Sequence, residues 1–410
     1  MHRIITTTIL CVGVHTSLLF AQKDCSNDHL GMIPITDLGT DYFHGLQGGL
    51  YPGGSNVRPA AHLDACIAHV SAIEPKDASG NFDENGKIVM LGIGASNPMT
   101  EFQRFINFSE DYEPVNDQLE IVNACVGGVG IQKMYDITEN YWVNVVGQLM
   151  DLGLSVEQVQ VVWIEQENTS AFDTTFPAAP NTLVTDFRYL LEVLRQLFPN
   201  LQICYVSARA YAGYADPDVN SGLLYPRDYF NGWAIKFLVE KVINLAPGYI
   251  TDGAGTNIPM VTWGTYHWSD GSTPNADGLF LDCEIDVGED GLHLSGMGEY
   301  KMGQKLFEFF KTDETAAYWY LDQDYSGIAD GNASASVSIY PNPALGDLIT
   351  LKGEMVNGAS INYTIYDVRG VPVLSGSTTH TIDIHQLPAG MFMLELTQGN
   401  TRSMQKLIRS

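Results

Sequence analysis

Asp290-Gly291-Leu292-His293 sets a carboxylate three residues ahead of an imidazole, just before the helix-opening pattern Ser295-Gly296-Met297-Gly298. A turn of that length can fold the acid onto the ring, where it fixes the tautomer of a general base. Such a base needs a nucleophile. Upstream, the apolar run Ile88-Val89-Met90-Leu91-Gly92-Ile93 ends in Gly94-Ala95-Ser96-Asn97. A strand that stops at a glycine turn carrying a serine is one way to expose a hydroxyl nucleophile. The chemistry these pieces allow is acyl transfer: Ser96 attacks, His293 takes its proton, and Asp290 steadies the imidazolium. Taken singly, each piece has a plainer use. Ser96 could cap a helix, Asp290 could form a turn, and His293 could be a surface residue. Their order, and their common place after strands, favour the catalytic use.

The elements that must position these residues alternate between two periodicities. Apolar runs at 87–93, 120–126, 159–164, 201–206 and 259–263 are short and bounded by polar residues or glycine, as buried parallel strands are. Between them, Phe187, Leu190, Leu191, Leu194, Leu197 and Phe198 fall on one helical face, as do Leu63, Ile67, Val70 and Ile73, and later Trp233, Phe237, Leu238 and Val242. The expected fold is α/β: a doubly wound parallel sheet of about five strands with helices on both faces. Ligands in such sheets sit beyond the carboxyl ends of the strands, and Gly94-Ala95-Ser96, Gly127-Gly128 and Glu167-Asn168 all follow strands.

In that order the pieces resemble the SGNH (GDSL-type) hydrolases over roughly residues 85–311. Gly94-Ala95-Ser96 stands for the Gly-Asp-Ser block, Asn123 to Gly128 for the second block, Gln166-Glu167-Asn168 for Gly-x-Asn, and Asp290-Gly291-Leu292-His293 for Asp-x-x-His. Ala95, Gln166, Thr169 and Leu294 depart from the usual residues, but none removes a reacting atom. The resemblance implies a serine esterase with the triad Ser96, Asp290 and His293. Its oxyanion hole would comprise the backbone N–H groups of Ser96 and Gly128 and the side-chain amide of Asn168. Trp163 with Glu165 to Asn168 resembles carbohydrate acetylesterases of the same superfamily, which makes acetylated glycans a substrate class to expect. The rival reading is a non-catalytic surface binding protein on the same fold. No histidine pair has metal-ligand spacing and no glycine-rich phosphate loop appears, so no cofactor and no metal are expected. Tyr266-His267-Trp268-Ser269-Asp270 could line the substrate mouth, and a packed aromatic loop explains it equally.

From 336 to 410 the sequence changes character. Short β-rich runs separated by Gly, Pro, Asn and Asp read as a small all-β sandwich. All six Trp and all six Cys lie upstream, and acidic and basic residues balance here, so the preceding chain carries the whole net charge of −27. Such a shift marks a domain boundary. Tyr340-Pro341-Asn342-Pro343, Ile365 to Gly370, Leu387 to Phe392 and the basic tail Lys406 to Ser410 closely resemble the type A C-terminal sorting domain of the type IX secretion system of Bacteroidetes-type bacteria. That implies the type IX machinery as a partner. Asp322 to Gly327 looks like the opening of a calcium loop, but Ala333 stands where a bidentate Glu is needed. Residues 322–335 therefore read as a linker.

At the other end, Met1-His2-Arg3 and the apolar stretch Ile4 to Phe20 read as a signal peptide over 1–22, giving Sec export followed by type IX secretion to the cell surface or beyond. Residues 23–321 are then the hydrolase-like domain, with no transmembrane segment. The acidity, 21 Lys/Arg against 48 Asp/Glu, argues against nucleic acid and anionic membranes as partners. Cys25, Cys66, Cys125, Cys204 and Cys283 remain after the leader, an odd number, so at least one is unpaired within the chain. Cys125 and Cys204 sit in apolar runs that suit buried thiols.

Overall fold

Apolar runs rich in Val and Ile become strands where both of their faces can be covered. In the computed structural model five do so: β1 (Ile88–Gly94), β2 (Leu119–Asn123), β3 (Val159–Glu165), β4 (Ile203–Val206) and β5 (Met260–Trp263). They form one parallel sheet in the order β2-β1-β3-β4-β5. β1 and β3 are buried at every position, whereas β2, on the edge, is only partly covered. The order reverses between β1 and β3, so the chain leaves these two strands in opposite directions and opens a crevice at their carboxyl ends.

The structure describes residues 23–112, 114–216, 223–253 and 255–322, and then 337–342, 344, 346–353, 360–366, 372–398 and 401–409. The expected signal peptide and the expected linker beyond Asp322 lie outside the described residues. Two compact units meet at Asp322/Gln323.

In the first unit the longer helices are α1 (Ala60–Val70), α2 (Ser96–Glu110), α3 (Asn140–Asp151), α4 (Ala178–Leu197), α5 (Arg227–Ile243) and α6 (Gly296–Thr312). α2 presses hard on β1: a Cβ at Gly92 would lie 2.4 Å from the Phe102 ring and one at Gly94 2.2 Å from Pro98. Those two glycines let the helix start one residue after the strand ends. α4 buries Phe187, Leu190, Leu191 and Leu194, as its spacing predicts. α1 differs from expectation. Its buried face is His62, Cys66 and Val70, while Ile67 is 37% exposed and Leu63 only half-buried. His62 packs against the Tyr51 ring and reaches Cys66 Sγ at 3.8 Å, contacts that cover a polar residue no hydropathy pattern would place inside.

A disulfide joins Cys25 to Cys283, and Cys66, Cys125 and Cys204 are buried free thiols. The second unit is antiparallel. β6 (Val337–Tyr340), β7 (Leu348–Gly353) and β10 (Thr381–Asp383) form one sheet. β8 (Ile361–Tyr366), β9 (Pro372–Thr378), β11 (Gly390–Gln398) and β12 (Thr401–Arg409) form the other. Ile349, Leu351 and Ile382 from the first sheet share a core with Ile361, Ile365 and Leu394 from the second. No helix among the described residues is long and apolar enough to cross a membrane.

Candidate active site

Ser96 is the first residue of α2, separated from β1 by Ala95 alone. The sharp turn lifts its hydroxyl to the carboxyl edge of the sheet, at the reversal of strand order. The partner segment approaches from the loop before α6. Gly291 sits at φ +70°, and a Cβ there would meet the Tyr214 carbonyl oxygen at 2.2 Å, so the turn requires glycine. Asp290 Oδ1 accepts the backbone N–H groups of Leu292 (3.1 Å) and His293 (2.9 Å), which folds the carboxylate over the turn. Its Oδ2 then lies 2.6 Å from His293 Nδ1, and His293 Nε2 lies 2.8 Å from Ser96 Oγ. Ser295 ends the loop by capping α6, accepting from the N–H groups of Met297 and Gly298. Lys23 closes the loop from behind, its N–H donating to Glu289 O at 2.8 Å close to the Cys25–Cys283 bridge.

Burial pushes the Asp290 carboxyl up. The His293 side chain and the N–H groups of His293 and Leu292 outweigh that and hold it below the usual carboxylate range. Asp290 is thus built to stay ionised beside the imidazole. The His293 side chain is 48% exposed and that of Asp290 32%, so solvent and ligands can reach this chain of hydrogen bonds.

The second-block glycines arrive beside Ser96 because the chain after β2 keeps pairing with β1. Ala124 N–H donates to Gly92 O and Val126 N–H to Gly94 O, both at 2.9 Å. A Cβ on Gly127 would lie 4.0 Å from Ser96 Cβ, and Gly128 follows at φ +74°. Asn168 is placed differently from expectation. Its amide donates to Asp186 Oδ2 of α4 at 2.9 Å and to the Tyr135 hydroxyl at 3.4 Å, so both amide protons are engaged within the protein. The preceding Glu167 is tied to Arg227 at 2.6 Å and to Asn231 at 3.2 Å, which anchors the loop on α5. A narrow cleft next to Ser96 is lined by Ala95, Glu165, Gln166, Arg209 and Leu292. Arg209 was not legible in the sequence. Arg58, Arg104, Arg188 and Arg227 each pair with a carboxylate, whereas Arg209 forms no such ion pair among the described residues and donates to Leu223 O at 3.0 Å.

Among the described residues one group has the donors for a metal ion: Glu101 of α2, Glu165 of β3 and His267, all buried. Of the two readings of Tyr266 to Asp270, the packed aromatic loop is the one seen: His267 is buried between the buried residues Tyr266 and Trp268. Ser207 Oγ accepts Trp163 Nε1–H and Thr265 N–H, each at 2.9 Å, so its own proton goes to Thr265 Oγ1, also at 2.9 Å. The Thr265 hydroxyl lies 2.5 Å from His267 Nε2, and His267 Nδ1 faces Glu165 Oε2 at 3.0 Å. Burial pushes the Glu101 carboxyl well up, and repulsion from Glu165 adds to it. Burial also raises the Glu165 carboxyl, to about 8, and keeps the neighbouring histidine neutral, its pKa lowered to about 4.

Residues 338–410 match the family described as the secretion system C-terminal sorting domain. The segment is therefore a type IX sorting domain, and the chain is a secreted or cell-surface protein. No curated relative matches the chain. Among solved structures it is similar to an acetyl xylan esterase, at 13% identity and TM-score 0.30, over 54% of this chain and 98% of that one. It is also similar to a gut microbial diltiazem-metabolizing enzyme, at 12% identity and TM-score 0.33, over 76% of this chain and 74% of that one. At these scores the likeness assigns neither fold family nor activity.

Proposed function

We propose that the chain is an exported serine esterase of the SGNH type, reaching the periplasm by a Sec signal peptide before type IX secretion. One observation carries the reading: the solvent-facing series Ser96 Oγ, His293 Nε2, His293 Nδ1 and Asp290 Oδ2, linked at 2.8 and 2.6 Å where the strand order reverses. In the reaction His293 takes the Ser96 proton as Oγ attacks the ester carbonyl. The imidazolium is stabilised by Asp290 and then delivers its proton to the leaving alcohol. Water, activated by the same ring, releases the acid from the acyl-enzyme. The oxyanion falls to the backbone N–H groups of Ser96 and Gly128. Asn168 would have to give up Asp186 before its amide could join them. Small acyl esters, acetylated glycans among them, are the substrate class.

Ser96→Ala should abolish hydrolysis of an aryl acetate and of acetylated oligosaccharides while the melting temperature stays within about 2 °C of wild type, a change of about 1 kcal/mol. Wild-type turnover in Ser96→Ala would refute the assignment.

A further inference from the structure

Half of the Leu292–Leu294 backbone groups are satisfied by their own turn. Leu292 and His293 N–H groups go to Asp290 Oδ1, and His293 O accepts from Gly288 N–H at 2.8 Å. Leu292 O and Leu294 N–H find no partner in the turn, and both residues are buried. One side chain serves both. Asn97 Nδ2 donates to Leu292 O at 3.0 Å, and Asn97 Oδ1 accepts from Leu294 N–H at 3.2 Å. The amide thus acts as a rung of β ladder that brackets His293 on either side.

Asn97 is also the covalent neighbour of Ser96, in the first turn of α2. The nucleophile and the clamp on the base therefore move as one body. We infer that Asn97 is a positioning residue that sets the Ser96–His293 hydrogen bond by holding the 292–294 segment against the start of α2. This rests on the esterase reading of the same site. The role demands an amide. It must donate and accept at once across a fixed fork, which a carboxylate cannot do and a hydroxyl is too short to do. Asn97 and Leu292 also line the cleft beside Ser96, but the amide is engaged on the backbone of the base's own segment, so its loss should act on the geometry of attack more than on substrate affinity. Misplacement by about 1 Å costs on the order of 10²-fold in rate.

The test is to compare Asn97→Ala and Asn97→Asp with wild type in the full chain. It reads kcat and KM on an aryl acetate, the rate of covalent labelling by a fluorophosphonate, and the melting temperature. Arg104→Met, which removes the α2–α6 ion pair to Glu299 at 3.0 Å, controls for loosened packing between the same elements. Asn97→Ala should lower kcat and the labelling rate together, by roughly 10- to 100-fold, with KM changed less than about twofold. Asn97→Asp keeps only the acceptor and should recover little. Arg104→Met should keep wild-type kcat. A wild-type labelling rate in Asn97→Ala, or full activity in Asn97→Asp, overturns the inference. So does an equal loss of kcat in Arg104→Met. If Ser96→Ala stays active, the esterase reading itself has failed. If Ser96→Ala is dead and Asn97→Ala is not, only the positioning role has.

Discussion

Two hydroxyl–imidazole–carboxylate chains stand in this one domain, with the same atoms in the same order. Ser96, His293 and Asp290 make one; Thr265, His267 and Glu165 make the other, with Thr265 Oγ1 2.5 Å from His267 Nε2 and Nδ1 3.0 Å from Glu165 Oε2. They differ in access. The His293 and Asp290 side chains are 48% and 32% exposed, those of His267 and Glu165 0% and 1%. The buried chain is backed by Ser207, which accepts from Trp163, and Thr265 and His267 are both buried, so this hydroxyl has no substrate to meet. Distances alone therefore do not define a catalytic triad. Exposure, a helix start that lifts the hydroxyl, and glycine backbone beside it set Ser96 apart from the buried Thr265.

The largest effect that sharpens this contrast lies on the exposed carboxylate. Asp290→Asn should reduce kcat by about 10⁴-fold, because the amide favours the wrong imidazole tautomer. The loss should appear in kcat on an aryl acetate with little change in KM. On the buried chain the corresponding change should spare turnover. Thr265→Val keeps the shape but strands Ser207 and His267 Nε2, at a cost of about 1–3 kcal/mol for each buried group left unpaired. Denaturant unfolding should report that loss while kcat stays within about twofold of wild type. A collapse of kcat in a folded Thr265→Val protein would erase the distinction drawn here.

A smaller, pH-dependent effect follows from the acid pair. Burial raises the Glu101 pKa in the folded chain, so the native state holds a proton that the unfolded state releases. The associated stability is present below the ordinary Glu range, about 4.3, and is lost as pH rises toward the folded value. The slope approaches about 1.4 kcal/mol per pH unit for one proton. Glu101→Gln, permanently neutral, should be nearly equal to wild type in stability at about pH 4 and more stable at about pH 8, measured by thermal unfolding at both values. Parallel curves for the two proteins would show that Glu101 titrates normally.

What the sequence made legible follows the range of the interactions. The strands could be read because burial on both faces leaves a continuous apolar run, as in Ile88–Gly94 and Val159–Glu165. Asp290 and His293 could be read because their contact spans three residues and is closed by one turn. In and just after α1, Val70 and Ile73 are buried as their spacing predicts, but a buried His62 looks polar to any pattern, although Cys66 and Tyr51 cover it. Asn97, Arg209 and the Glu101–Glu165–His267 cluster left no local signal. Their partners lie far along the chain, as Asn97 with Leu292 and Glu165 with His267 do. Asn168 was placed by family spacing, but its amide meets Asp186 in a loop that Glu167 anchors through Arg227.

The most direct test of the central claim is fluorophosphonate labelling of the purified chain with the adduct mapped by peptide mass spectrometry. A nucleophile activated by His293 gives one adduct, on the peptide carrying Ser96, and His293→Ala abolishes it. No adduct on wild type, or an adduct on Ser96 that forms as fast in His293→Ala, would contradict the account.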